Sequence, residues 1–499
     1  MESIFMLLAF LAMLRCSSLE KLRYCRCGEL GRLLGLDRCP EVRTLREKLS
    51  QICNDDGKAE EWSGERAKNW MGEQDEQAHG FFYVDGHIRV YYGDQTQLPR
   101  QYVCRQKLCL RGVSDYWVGG FGGHPFFVIT APVNPGMIKM LRETIVPRLL
   151  KDVPDQPSQE QLDNDPELPR FTLVFDREGW SPDLFAELWQ QRIAILTYKK
   201  SPGEPWPVEQ FHPTEVSLSN GEKVEMSLSE RDVQLSNAMW VREIRKRSDC
   251  GHQTTIVTTH KKLTPPIVAS RMFARWCQEN FFKYMAENYG LNKLSEHATE
   301  PIPETTMVVN PAWRKLDKTI RRETTKLTRM RAEFNAQDLT AEGQVTQKQL
   351  HCAGTLLENV KQLEGNINEL KAQRKSTARH IAMKDLPEDQ QFQQLRKETK
   401  HFVNTIKMIA YRAETALANI LSEHLSHPDT VRTLLRQIFD SPANLIPDEK
   451  NQTLTVQLHP TSLACHTQAI TALCTELTQT ETVFPDSNLR LIFEILGPS

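Results

Sequence analysis

Apolar residues are spaced along this chain in three textures, and each predicts a different kind of element. Between residues 28 and 53 (GELGRLLGLDRCPEVRTLREKLSQIC), Leu30, Leu33 and Leu34 share one helical face. Gly35 and Asp37 interrupt that face, and Val42, Leu45 and Leu49 resume it after Pro40. Two short helices about a turn are expected, with Gly31 and Gly35 letting them cross closely. They form either a helix-turn-helix, with Arg43, Arg46 and Lys48 projecting toward nucleic acid, or a plain helical hairpin.

From Gly80 to Tyr198 the texture is α/β. FFYVDGHIRVYYG reads as two strands about a turn at Gly86, HPFFVIT as a third strand, and NPGMIKMLRETIVPRLL as a helix. The acidic, Pro-rich segment KDVPDQPSQEQLDNDPELPR is a surface excursion. FTLVFD is then a strand, SPDLFAELWQQ a helix capped by Ser181 with Pro182 at its first position, and IAILTYKK a further strand. Residues 201–262 are β-rich and read as an insertion; Pro265 and Pro266 end them, and the helix VASRMFARWCQENFFKYMAENYG follows.

Beyond Trp313 the spacing is helical. One stripe runs through Trp313, Leu316, Ile320, Leu327, Met330 and Phe334, and another, after a break near NAQDLTAEGQ, through Leu356, Val360, Leu363, Ile367 and Leu370. A third takes in Phe392, Leu395, Phe402, Ile406 and Ile409. Stripes of a few heptads each suit an antiparallel hairpin or bundle. TLTVQLH and LRLIFEIL are strands around the helix SLACHTQAITALCTEL. The expected organisation is a helical DNA-binding region at 1–75, an α/β core at 76–300 with its insertion at 201–262, a helical bundle or hairpin at 301–445, and a small mixed α/β segment at 446–499.

Composition alters this picture in three places. With 499 residues the chain exceeds the size at which single cores stop growing, roughly 250 to 300 residues, so two or three domains are expected. The net charge of -2 conceals a local excess: Arg231 to Arg329 holds 18 Lys and Arg against 10 Asp and Glu, a stretch able to face phosphate or simply to be solvated. Twelve cysteines at irregular spacing fit scattered thiols of a reducing cytoplasm, and Cys25, Cys27, Cys39 and Cys53 are too unevenly spaced for a zinc signature. The run IFMLLAFLAML is shorter than the about 20 residues a membrane span needs. It lacks the flanks of a leader and is expected as a buried helix.

Three carboxylates stand out by context: Asp85 after FFYV, Asp176 after FTLVF, and Glu279 in the helix after the β-rich segment. Carboxylates are hard oxygen ligands suited to Mg²⁺ or Mn²⁺, and gathering them without a metal raises their pKa values by mutual repulsion. Two such ions about 3.5 to 4 Å apart support in-line attack on a phosphodiester. Arg275, Glu279 and Lys283 fall on one helical face, where the cations would position phosphate or form a surface salt-bridge ladder. Asp85 could equally be a turn residue beside Gly86. His87, Arg89 and Asp115 lie nearby in sequence; Arg177 could contact DNA backbone, while Glu178 reads as a surface charge. Trp117 and Trp180 could stack on a base or pack in the core. Arg242, Arg245, Lys246 and Arg247 form a phosphate-binding cluster or a charged, protected strand edge.

The segments FFYVDGHIRVY, LPRQYVCRQKLCLRGVSDYWV, LVFDREGWSPDLF and RWCQENFFKYM together resemble bacterial insertion-sequence transposases of the DDE type, over roughly residues 80 to 295. That resemblance implies an α/β, ribonuclease H-like core carrying a β-rich insertion, flanked by N-terminal and C-terminal helical regions. It implies that two aspartates on neighbouring strands and a glutamate on a later helix hold two Mg²⁺ or Mn²⁺ ions, which maps onto Asp85, Asp176 and Glu279. A Tyr, Arg, Glu, Lys signature marks one branch of the family. Arg275 and Glu279 match it, whereas Met272 and Ala286 stand where Tyr and Lys would, with Lys283 one turn away. The implied activity is phosphodiester hydrolysis at element ends and transfer of the 3′-OH into target DNA. A dimer or larger synaptic complex would carry it out in a bacterial, nucleoid-associated cytoplasmic setting. Two other readings keep part of this: a nuclease without strand transfer, or a truncated or decayed relative that binds or scaffolds DNA without chemistry.

Overall fold

The two most apolar runs in the α/β region, Phe81–Val84 and Phe171–Phe175, lie side by side at the centre of one large sheet and are buried along their length. The computed structural model describes residues 2–54, 57–74, 79–93, 96–103, 106–131, 133–219, 221–293, 299–335, 347–425 and 428–497. The chain forms two compact units, Met1–Tyr92 with Arg100–Ala298 and Leu395–Ser499, and Gly93–Pro99 with Thr299–Gln394.

The first unit opens with helices α1 (Glu2–Met13), α2 (Cys27–Arg32), α3 (Val42–Ile52) and α4 (Lys58–Gly72). α1 is the expected buried helix, with Leu7, Leu8 and Leu11 inside. Among the described residues no helix is long and apolar enough to cross a membrane. Leu30 and Leu34 point inward as the periodicity requires, but α2 stops at Arg32, so Leu33 leaves the face and is exposed. At Gly31 a Cβ would stand 2.5 Å from the Arg38 backbone, so only glycine permits the return of the chain there.

The sheet is built from β1 (Phe81–Val90), β2 (Arg100–Val103), β3 (Leu108–Gly119), β4 (Pro125–Ala131), β5 (Phe171–Phe175), β6 (Ile193–Tyr198), β7 (His212–Ser217), β8 (Lys223–Gln234), β9 (Trp240–Arg247) and β10 (Gln253–Thr258). Its order is β2-β3-β1-β5-β6-β10-β9-β8-β7, with β4 also on β3. β1 pairs antiparallel with β3 and parallel with β5, and β5 pairs parallel with β6. The β-rich segment continues this sheet, because β10 pairs with β6.

Two sequence expectations need correction here. FFYVDGHIRV is one strand and not two about a turn: Gly86 lies mid-strand, packed on the Tyr116 ring, where an added Cβ would be 3.5 Å away. The prolines at 265 and 266 start a helix instead of only ending the strands, as suits residues whose missing N–H is not needed in a first turn. That helix is itself divided, into α9 (Pro265–Phe273) and α10 (Arg275–Asn288) about Ala274. Between the strands run α5 (Met137–Met140), a π-turn at Leu141–Ile145 just ahead of Pro147, α6 (Val146–Asp152), α7 (Gln159–Asn164) and α8 (Pro182–Gln190). Ser181 caps α8, its Oγ accepting from the Leu184 N–H at 3.3 Å.

The second unit is an antiparallel pair, α11 (Pro311–Asn335) and α12 (Gln347–Ser376), with Leu327, Val360, Leu363 and Ile367 between them. The short strands Met307–Val309 and His380–Ala382 close its base. Most of the expected break near NAQDLTAEGQ lies outside the described residues. Phe392 and Leu395 are not helical; α13 (Glu398–Ser422) starts only after them.

α13 returns the chain to the first unit and joins its two cores. Phe402 and Ile406 pack among the N-terminal helices, whereas Met408, Ala410 and Tyr411 pack on the sheet's core. α14 (Pro428–Asp440), α15 (Ala464–Gln479) and a three-stranded sheet of Ala443–Asp448, Thr453–Leu458 and Arg490–Ile495 complete the unit.

Asp115 on β3 is fully buried and fastens α13 to the sheet. Its Oδ2 accepts from Arg89 Nε at 2.6 Å, and its Oδ1 accepts from Thr130 Oγ1 at 2.9 Å and from Lys400 Nζ. Burial alone would raise this carboxyl, but Arg89 and Lys400 outweigh it and hold the group well below the usual carboxylate range. Asp115→Ala would leave two buried cations without their anion, a change that costs about 3 to 5 kcal/mol. A urea-unfolding midpoint well below that of the parent checks this. Because the folded pKa of Asp115 is depressed, that carboxylate's contribution is present above the unfolded Asp pKa and lost as pH falls through the folded value, while burial pushes the Lys400 ammonium down to about 7, so its share of the pairing weakens above that pH.

Candidate active site

The register of β1 on β5 sets the site. Val84 lies opposite Phe175, so the next residue on each strand is acidic and the two arrive side by side as Asp85 and Asp176. After β5 the chain turns at once: Asp176 Oδ1 accepts from the Glu178 N–H at 2.9 Å, and Gly179 lies so close to the Phe175 ring that a Cβ would be 2.4 Å from it. Thr197 on β6 donates from Oγ1 to the Asp176 carbonyl at 3.2 Å.

α10 brings the third acid. Phe281 and Phe282 pack on Trp117, and Gln278 Nε2 donates to the Gly120 carbonyl at 3.2 Å, which fixes the helix against β3. Arg275 then reaches both ways, with Nη1 3.5 Å from Asp85 Oδ1 and Nη2 3.1 Å from Glu279 Oε1. Burial pushes the Asp85 carboxyl up to about 6; Arg275 opposes the rise, and the negative charges of Asp176 and Glu279 add to it. The three acids therefore share one electrostatic environment. Among the described residues no three His, Cys, Asp or Glu side chains close around a single point as ligands of a bound ion do.

The donor set nevertheless suits a hard divalent cation. Its members are carboxylate oxygens from three different segments, and those of Asp85 and Glu279 already attract the Arg275 guanidinium. A divalent ion would compete with Arg275 for the same oxygens. Asp85, Asp176 and Glu279 are the residues that would hold it.

The remaining expected site residues separate into groups. Lys283 is exposed on α10, one turn beyond Glu279, and makes no ion pair among the described residues. Arg177 is exposed beside Asp176, with its guanidinium 5.9 Å from the Tyr198 ring centre. Glu178, read from sequence as a surface charge, is exposed; partial desolvation and Asp176 raise its pKa, and its Oε2 lies 3.9 Å from where a Gly86 Cβ would stand. His87 stacks on Phe282 at 5.3 Å and bonds Asn292 Oδ1 through Nε2 at 2.6 Å, and burial lowers its pKa, so it is a packing partner. Trp117 is buried and closed to a base, and Trp180 packs edge-on against Phe185.

The β9 basic cluster is divided. Arg245 points inward to Glu243 at 2.7 Å and to the carbonyls of Pro202 and Glu204, so burial removes it from any phosphate-binding surface. Arg242 is held by Glu230 at 2.5 Å and by the His260 carbonyl. Lys246 lies over the Phe273 ring, and Arg247 is half-buried at the strand end. On α3, Arg43 pairs with Glu47, Arg46 with Glu20, and Lys48 bonds Gln51, all on the exposed face. Among the cysteines, Cys16 and Cys25 place their Sγ atoms 3.8 Å apart.

A mixed α/β protein with carboxylates gathered where the parallel pairing of β1 and β5 stops is the class that fold and candidate site define. The chain matches the Transposase_29 family model, described as "Transposase protein", over residues 1–497, and it belongs to that family. No curated protein matches the chain. Membership implies DNA transposition as the process and DNA as the partner.

The raised pKa of Asp85 means that its ionised form burdens the folded state. Asp85→Asn removes that burden, and we expect the variant to be about 1 to 3 kcal/mol more stable than the parent at about pH 8. Because the folded pKa is above the unfolded one, the difference shrinks as pH falls through 6 and vanishes below about pH 4. Thermal unfolding of both proteins across this range is the check; equal midpoints at about pH 8 would contradict the electrostatic account.

Proposed function

We propose that this chain is a DDE-type transposase with a ribonuclease H-like core, in which Asp85, Asp176 and Glu279 are the catalytic acids. What supports the reading is that Arg275 bridges Asp85 of β1 and Glu279 of α10, and that the charges of Asp176, next to β5, and Glu279 both act on Asp85. The three acids follow one another in the chain order that the sequence resemblance implies. When bound, two Mg²⁺ or Mn²⁺ ions would activate water or a 3′-hydroxyl and stabilise the leaving oxygen.

The chain's own residues supply the rest. Asp85 is held within β1 and Asp176 in the capped turn directly after β5, so their backbones are fixed by the sheet and that turn. Arg275, once displaced from the carboxylates, is within reach of a phosphodiester at the same spot, and Lys283 extends the positive face by one turn. Arg177 beside Asp176 would contact the DNA backbone. Met272 is buried in α9 and Ala286 follows on α10, so the Tyr and Lys of the branch signature have no counterpart and Lys283 takes the second role. Arg43, Arg46 and Lys48 of α3, with Arg242, Lys246 and Arg247 of β9, remain the further DNA contacts of this reading. Joining two element ends calls for a dimer or larger synaptic complex.

The test uses labelled DNA carrying the ends of the element that encodes the chain, with Mg²⁺. The parent protein nicks the ends and joins the exposed 3′-OH to target DNA. Asp176→Asn folds and binds but nicks at least about a hundredfold more slowly, as loss of a group that stabilises transition-state charge requires. Undiminished nicking by the variant would reject the assignment, and nicking without joined product would reduce it to a nuclease.

A further inference from the structure

In the second unit a cavity of about 710 Å³ opens at the junction of the α12 C-terminus and the α11 N-terminus. Lys371, Arg374, Lys375 and Arg379 line it around Trp313, and no carboxylate is among its lining residues. The local chain path explains why they meet. Asn310 Nδ2 donates to the Ala378 carbonyl at 3.0 Å and the Asn310 N–H to the Arg379 carbonyl at 2.9 Å, which straps the segment after α12 onto the start of α11. Arg374 and Arg379 then lie with their guanidinium carbons 5.7 and 5.2 Å from the Trp313 ring centre.

Basic residues in the last turn of a helix complement its dipole, which would account for Arg374 and Lys375 as ordinary charges but not for Lys371, one turn earlier. It does not account for Arg379, which lies beyond the helix, nor for an indole that orients two guanidiniums. Asp317, the acid that pairs with Arg374 at 2.5 Å, is shared with Arg321 at 2.9 Å. Lys371, Lys375 and Arg379 are exposed and make no ion pair among the described residues. With Trp313 occupied by guanidiniums, base stacking is not the use of this pocket; its free donors suit phosphate oxygens.

We propose that this pocket grips the phosphodiester backbone of duplex DNA, as a contact separate from the acidic site. The inference rests on the transposase reading for its DNA. Backbone contacts of this kind release counterions, and each contributes about 0.9 to the slope of log affinity against log salt concentration.

The experiment uses the full chain and a labelled random-sequence duplex, titrated by fluorescence anisotropy over a range of NaCl concentrations. In the triple variant Lys371→Ala, Lys375→Ala, Arg379→Ala, the slope is expected to fall by about 2 to 3 and affinity to drop at least about tenfold at low salt. Lys371→Arg with Lys375→Arg keeps the charge and is expected to bind as the parent does. A triple variant with parental slope and affinity overturns the inference, as does a conservative variant that loses as much as the alanine one. A parent chain that binds no duplex at all would instead defeat the transposase reading on which the inference stands. Retained nicking chemistry in the triple variant at saturating DNA is the sign that the acidic site is untouched.

Discussion

The ladder between β1 and β5 stops at Val84 and Phe175, where β5 ends while β1 runs on to Val90. The pairing of Val84 with Phe175 therefore fixes the distance between Asp85 and Asp176 before any other feature of the site is in place. Like charges held near one another at the edge of a low-dielectric core repel; the Asp85 backbone is held in its ladder with β3, and Asp176 is held by its cap on the turn that follows β5. The neighbouring structure answers that constraint. Trp117, Phe281 and Phe282 hold α10 against the sheet, and α10 supplies in Arg275 the countercharge and in Glu279 a further acid.

How much of this could be read in the sequence depended on whether short-range pattern or long-range contact decided the outcome. FTLVF, IAILTY and SPDLFAELWQ announce themselves because their apolar residues, capping Ser181 and Pro182 act within a few positions. The acids were legible for the same reason, since each ends or interrupts a pattern. Gly86 misled because its turn propensity is overruled by the Tyr116 ring packed against it from β3. Pro265 misled in the opposite sense, since a proline marks a helix start as well as a strand end. Phe392 and Leu395 keep a helical spacing with α13 but precede its first turn.

Charge was harder to read than hydrophobicity. VREIRKRS looks uniformly basic, yet alternation along β9 turns Arg245 inward to Glu243 while its neighbours face elsewhere. Lys400, 285 residues from Asp115, gave no sequence signal of the ion pair it makes. Arg379 is likewise unremarkable until the Asn310 strap brings it to Trp313. In each case the sequence supplies the sign of the charge, and tertiary pairing decides whether that charge is spent inside or offered outside.

That distinction separates the acidic site from three other buried carboxylates of the first unit. Asp115 has Arg89 and Lys400; Glu243 has Lys199 at 2.5 Å and Arg245 at 2.7 Å; Glu414 has Arg15 at 2.5 Å, Arg432 at 3.2 Å and two tyrosine hydroxyls. Each of these anions is matched by more than one cation, which is what a purely structural buried charge requires. Asp85 must share the single guanidinium of Arg275 with Glu279, and Asp176 has no ion pair among the described residues. Asp85, Asp176 and Glu279 are partly exposed, so water screens part of the negative excess where the β1–β5 pairing stops, and that excess supports the proposal of a cation held there from outside the chain.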